Sequence, residues 1–152
     1  MDMLIRLICL VGGYGVGLIQ TAYIYGRIKG VDIRKYGSGN AGTTNMLRSV
    51  GKKAAAITLI CDILKGVISI AIAIIVGSIV KNLDKELLLQ IAGIAVVLGH
   101  TFPIFFGFKG GKGVATSLGV LLMSNWQIGL ICLVFAIVLT ASCGSRFSYK
   151  TL

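Results

Sequence analysis

From Ala54 to Val80 the chain runs apolar for 27 residues, with charge only at Asp62 and Lys65. As one helix this stretch is about 40 Å long at 1.5 Å per residue. A bilayer's hydrocarbon core is only about 30 Å thick. The stretch must therefore tilt, extend beyond the membrane or break, with Lys65-Gly66 as the candidate break. Met3 to Tyr25, Leu87 to Phe106 and Val114 to Ala141 form further apolar runs. Charged residues make up 13% of the chain and hydrophobic ones 56%, against roughly 25% charged in a soluble domain. The expected fold is all-α: a polytopic membrane helix bundle of about four to six spans, some short or broken. Val114 to Ala141 reads either as one long helix or as a hairpin turning at Ser124-Asn125.

Fifteen Lys and Arg stand against five Asp and Glu, for a net charge of +10. The bases cluster in short segments between apolar runs, with few aromatics among them. That pattern fits cytoplasmic loops facing anionic lipid rather than nucleic acid. Gly26 to Lys53 holds seven bases against Asp32 alone, so it is expected on the cytoplasmic side with the N-terminus outside. Lys81 to Glu86 reads as an outer hairpin, and Arg146 and Lys150 place the tail inside. The N-terminal run reads as a retained first helix rather than a signal peptide. Tyr14, Tyr23 and Tyr25 suit a membrane interface. Gly12, Gly13, Gly15 and Gly17 thin one helix face for close packing. The four cysteines show no CxxC and no grouping with the single histidine, so neither a metal site nor a disulfide framework is expected.

Two glycine-rich stretches carry the candidate chemistry. Gly37 to Arg48, GSGNAGTTNMLR, contains G-x-G-x-x-G at Gly37, Gly39 and Gly42. The dinucleotide fingerprint needs a preceding strand and a βαβ unit, whereas a membrane span follows here. Gly99 to Thr116, GHTFPIFFGFKGGKGVAT, holds His100, Pro103, Lys109 and Lys112. Its Gly107–Gly113 turn is one residue short of a Walker A and lacks the Ser or Thr after the lysine. What remains is an anion-binding pattern. Glycines free backbone N–H groups to form a nest, and Ser38, Asn40, Thr43, Thr44 and Asn45 add donors. Arg48 can grip a phosphate with two parallel bonds. Charge and parity place both stretches on one membrane face. Asp62 and Lys65, three apart, share a helical face and can pair. Inside a span such a pair is either functional or a lock between helices.

Three blocks, Gly37 to Arg48, Asp62-Ile63-Leu64-Lys65-Gly66 and Gly99 to Thr116, resemble in order and spacing the acyl-phosphate:glycerol-3-phosphate acyltransferase family (PlsY) of bacterial membrane enzymes. The resemblance implies transfer of a fatty acyl group from acyl phosphate to glycerol 3-phosphate, giving lysophosphatidic acid and phosphate, the first acylation of phospholipid biosynthesis. It implies no cofactor, no metal and neither acyl-CoA nor acyl-carrier protein as donor. By the same resemblance Ser38, Arg48 and Lys109 or Lys112 hold glycerol 3-phosphate. Gly39, Asn40, Gly42, Thr43, Thr44, Asn45, Gly110 and Gly111 cradle the acyl phosphate. His100 and Ser38 lie at the reacting centre, with His100 either a base or a positioning group, and Asp62 and Lys65 support the site. The setting implied is the bacterial cell membrane with the site on the cytoplasmic face, and an acyl-phosphate-producing enzyme is a candidate partner.

After Leu139-Thr140 the sequence turns to ASCGSRFSYKTL, where the family pattern continues with a third Ser-containing motif and a further helix. Ser142 and Ser145 do not match that motif. The expectation is one acyltransferase-like membrane domain over residues 1–140 and an irregular tail, 141–152, outside the family pattern. Two alternatives accompany it: a catalytically impaired, truncated copy, and a non-enzymatic transporter of small phosphorylated anions. A transporter predicts repeated halves or matching helix interruptions, and the sequence has neither.

Overall fold

The structure, a computed structural model, describes residues 2–80 and 83–147, with side chains through Leu139. Lys150 and part of the Lys81 to Glu86 hairpin lie outside the described residues. The described chain forms seven α-helices: α1 (Asp2–Gly17), α2 (Thr21–Ile28), α3 (Thr43–Ser49), α4 (Lys52–Ile79), α5 (Lys85–Thr101), α6 (Val114–Ser124) and α7 (Trp126–Phe147). Three stretches, Asp2–Ile28, Lys52–Ile79 and Lys85–Phe106, are long and apolar enough to cross a membrane, and two shorter apolar helices follow.

α4 shows why an apolar sequence forms a defined bundle. Its inward positions are Ala54, Ala55, Thr58, Asp62, Lys65, Gly66, Ser69, Ile70, Ala73 and Gly77, mostly small or polar. Its large apolar residues Ile60, Leu64, Ile68, Ile72, Ile75 and Ile79 are exposed, the face that lipid would cover. Lipid tails are as apolar as these side chains, so helices in a membrane associate through close packing and polar contacts. The helix continues through Lys65-Gly66 without a break. Gly66 permits this position to pack tightly: an added Cβ would strike the Thr116 carbonyl of α6. Gly119 of α6 abuts the Ile63 carbonyl in the same way.

The same device joins α1 to α5. Gly17 lies against Val96 O, Gly99 Cα and His100 N, and Gly13 against Ala92 and Ala95. Only these two of the four expected glycines pack closely, for Gly12 and Gly15 have nothing within 4 Å. The first span is also not the single helix that its hydropathy suggests. α1 closes after Gly17 with tightened turns, Leu18 N to Gly15 O and Ile19 N to Val16 O, and the chain restarts as α2 at Thr21. That break frees the Ile19 carbonyl, which the site uses.

α5 begins at a cap in which the Asp84 side chain accepts from Leu87 N at 3.1 Å. It ends at Thr101, two residues before Pro103, as a residue without a backbone donor dictates. Beyond α6 the chain turns at Asn125, whose side chain accepts from Ile128 N. The Val114 to Ala141 run is therefore two helices, with Gly129 of α7 against Leu122 of α6. α7 runs to Phe147, into the stretch expected to be irregular; no proline interrupts it there.

Candidate active site

The first glycine-rich stretch is built around one side chain. Asn45, 2% exposed, shares the two hydrogens of its Nδ2 among the carbonyls of Ile33 at 3.1 Å, Tyr36 at 3.0 Å and Asn40 at 3.0 Å. Its Oδ1 accepts from Ser38 N at 3.2 Å. Gly37 and Gly39 adopt φ of +56° and +70°, the left-handed region that glycine enters without strain. Gly39 N donates to Tyr36 O and Gly42 N to Asn40 O, both at 3.0 Å. The expected donors Gly39, Gly42 and Asn45 are thus engaged inside the loop. Amide and carbonyl groups closed off from water demand partners, and here they find one another. Ala22, Ile33, Ala41, Met46, Ala54 and Ala55 pack beneath the loop as a small apolar core.

The second stretch folds back on the end of α5. Gly110 N donates to Thr101 O and Gly111 N to His100 O, each at 3.1 Å. The last carbonyls of a helix lack partners within it, and these two amides supply them. Gly110 and Gly111 therefore serve as a helix cap through their N–H groups, while Lys109 and Lys112 beside them stand exposed. Gly113, at φ +78°, leads into α6, whose first N–H groups have no acceptor within the helix. Tyr14 of α1 braces the same corner: its hydroxyl donates to Phe102 O at 2.7 Å and accepts from Ile104 N at 3.2 Å. Tyr14 thus acts within the bundle, while Tyr23 packs edge-on against Phe106 with ring centroids 4.7 Å apart.

Between the loops lies a buried polar centre. His100, Lys65 and Asp62 are each 2–3% exposed. Lys65 Nζ meets Asp62 Oδ1 at 2.9 Å, the Ile19 carbonyl at 3.0 Å and His100 Nδ1. Gln20 Nε2 donates to the His100 carbonyl at 3.0 Å. The opposite edge of the imidazole faces Gly111, where an added Cβ would collide with His100 Nε2 and come to 3.0 Å from the Ala41 carbonyl. His100 therefore sits at the seam of the two glycine-rich stretches, which are about 60 residues apart in sequence.

Ser38, Thr44 and Arg48 of the first stretch are exposed, like the two lysines, while Asn40 and Thr43 are half-buried. These side chains offer polar groups to a ligand, whereas the amides of Gly39, Gly42, Gly110 and Gly111 are engaged within the protein. Outside the spans, Asp32 joins Arg34 through two bonds at 2.9 and 3.0 Å. The Arg34 guanidinium holds the Asp32 carboxyl down to about 2. Two participants escape sequence reasoning, the Ile19 carbonyl and Gln20. The available signal was a lone amide side chain near the end of an apolar run, which lipid penalises unless it has a partner.

The chain matches the profile of the family described as glycerol-3-phosphate acyltransferase over residues 7–149. It belongs to this family. The glycerol-3-phosphate acyltransferase of Clostridioides difficile is 47% identical over 142 residues, covering 93% of this chain and 69% of that protein. The one from Alkaliphilus metalliredigens is 44% identical over 80% of this chain and 60% of its own length. Among solved structures, PlsY (YgiH), an integral membrane glycerol 3-phosphate acyltransferase in its glycerol 3-phosphate form, superposes with a TM-score of 0.79 at 39% identity. That match covers 90% of this chain and 66% of the other. The chain thus spans about two thirds of the length of such relatives. The family suggested by the three motif blocks is the family found, and the helical membrane architecture is shared.

Proposed function

We propose that this chain catalyses, or supplies most of the site for, acyl transfer from acyl phosphate to glycerol 3-phosphate at the cytoplasmic face of a bacterial cell membrane. One observation carries the proposal: two basic, glycine-rich stretches meet at a buried histidine on a membrane bundle of this family. Both substrates are anions and repel each other, so cationic pockets are needed to bring them together. Ser38, Arg48, Lys109 and Lys112 offer exposed donors for the glycerol 3-phosphate, and Asn40, Thr43 and Thr44 for the acyl phosphate. The mixed anhydride is already activated, so no covalent enzyme intermediate is required. Exposed apolar faces on α4 and α5 give an acyl tail a lipid-facing surface beside the site.

The test is formation of lysophosphatidic acid from acyl phosphate and labelled glycerol 3-phosphate by purified chain in bilayers. The expected result is product from the wild type and a loss of 10²-fold or more on the order of general catalytic effects in His100→Ala, with Ser38→Ala and Arg48→Ala raising KM for glycerol 3-phosphate. Product that survives all three changes overturns the assignment of residues. Absence of product from the wild type supports the impaired-copy reading instead.

A further inference from the structure

The ammonium of Lys65 forms an ion pair with Asp62 Oδ1 at 2.9 Å and lies at hydrogen-bonding distance from the Ile19 carbonyl, at 3.0 Å, and from His100 Nδ1. A lysine ammonium donates and accepts nothing, so the contact with the ring is a hydrogen bond only when Nδ1 presents a lone pair. A neutral imidazole with a lone pair at Nδ1 carries its hydrogen at Nε2. The reverse arrangement, an imidazolium donating from Nδ1 to Asp62, fits the distances less well. His100 Nδ1 is 3.7 Å from Asp62 Oδ1, and Lys65 would then direct a hydrogen at another donor. The backbone at position 100 is pinned as well, because its carbonyl accepts from both Gln20 Nε2 at 3.0 Å and Gly111 N at 3.1 Å. Nε2 is left facing Gly111 and the seam with Ala41.

We propose that Lys65, steadied by Asp62 and the Ile19 carbonyl, is a positioning residue that fixes His100 as its Nε2–H tautomer, so that the ring offers a hydrogen-bond donor, and not a lone pair, at the seam of the two loops. The chemical use of that donor, a bond to a substrate oxygen, rests on the acyl-transfer reading above. The device also accounts for the break after α1. Without it the Ile19 carbonyl would be consumed within a continuous helix and Lys65 would lack that acceptor. A ring whose first nitrogen is held by a partner keeps a fixed tautomer and orientation, the role that outer partners play for histidines elsewhere.

His100 is the chain's single histidine, so ¹⁵N-histidine labelling of the full chain in bilayers gives one imidazole spectrum. The expected spectrum at neutral pH shows a directly bonded proton on Nε2 and an unprotonated Nδ1. The double variant Asp62→Asn/Lys65→Met removes the ammonium without stranding a buried charge. It should convert the spectrum to a mixture of tautomers and lower kcat about 100-fold, with KM for glycerol 3-phosphate changed far less. A wild-type ring protonated at Nδ1, alone or as imidazolium, overturns the proposal, as does a double variant with an unchanged spectrum. The wild-type spectrum requires neither a folded variant nor turnover. A chain that shows the Nε2–H ring but transfers no acyl group therefore refutes the acyl-transfer reading and leaves the tautomer assignment standing.

Discussion

Asn45 shows how one residue type can be read two ways. In sequence it stands among Thr44, Thr43 and Ser38 as a donor for an anion. In the structure its amide contacts three carbonyls and accepts from one N–H of its own loop. Asn45→Ala would take one donor from each of three carbonyls that keep a backbone N–H partner and would leave Ser38 N without its acceptor, each lost bond worth about 0.5–1.5 kcal/mol. The expected result is a clear fall in thermal stability in detergent, with faster amide exchange over residues 37–45. A stable Asn45→Ala protein with lost substrate binding would instead restore the ligand role. Gly111→Ala places a methyl on His100 Nε2 and is expected to abolish acyl transfer, as read by the product assay. Asp32 titrates far below its usual range because Arg34 bonds its charged form. A folded pKa of about 2, below an unfolded value of about 3.9, means that this contribution is whole above pH ~4 and fades as pH falls toward 2. Carboxyl NMR should place the midpoint near that lower value, and Arg34→Ala should move it up.

The helices are joined through glycines more than through large side chains. At Gly17 and Gly119 the neighbouring backbones come too close for any Cβ. Forcing one in costs about 1–3 kcal/mol. Gly17→Ala and Gly119→Ala should therefore lower the unfolding midpoint, whereas Gly12→Ala, with open space around it, should stay within about 0.5 kcal/mol of wild type. A loss at Gly12 equal to those at Gly17 and Gly119 would overturn the contact explanation, since helix propensity alone favours alanine over glycine at all three. Hydropathy cannot separate these glycines, since Gly12, Gly13, Gly15 and Gly17 look alike in a row. The rotation of α1 against α5 selects Gly13 and Gly17. The break at Leu18-Ile19-Gln20 escapes hydropathy for a similar reason, because nothing local forbids a helix there. The partner of the freed carbonyl, Lys65, lies 46 residues away.

Across the whole molecule, α1, α4, α5 and α6 hold two loops and one histidine in a single corner. The charge argument expects both loops on the cytoplasmic face, and their meeting at His100 demands that they share one face. Cysteines introduced at Ser38 and Lys109 should react with an impermeant maleimide from the same side of sealed vesicles. Labelling from opposite sides would break both the topology and the site.

The apolar runs alone established a helical membrane protein, because segments this long and this poor in charge have no other stable setting. The three motif blocks carried the resemblance to the family that the family match bears out, and through it they singled out His100, Ser38, Arg48 and the paired lysines as candidates. Folding decided the division of labour among them. Which N–H groups remain free depends on the carbonyls that the fold brings near, and Gly110, Gly111, Gly39 and Gly42 spend theirs on the protein itself. Likewise Asp62 and Lys65 could be read from sequence as a pair, since three residues on a helix bring them together. That the same ammonium also reaches Ile19 and His100 follows only from α1 ending early and α5 crossing it at Gly99, contacts that no local pattern encodes.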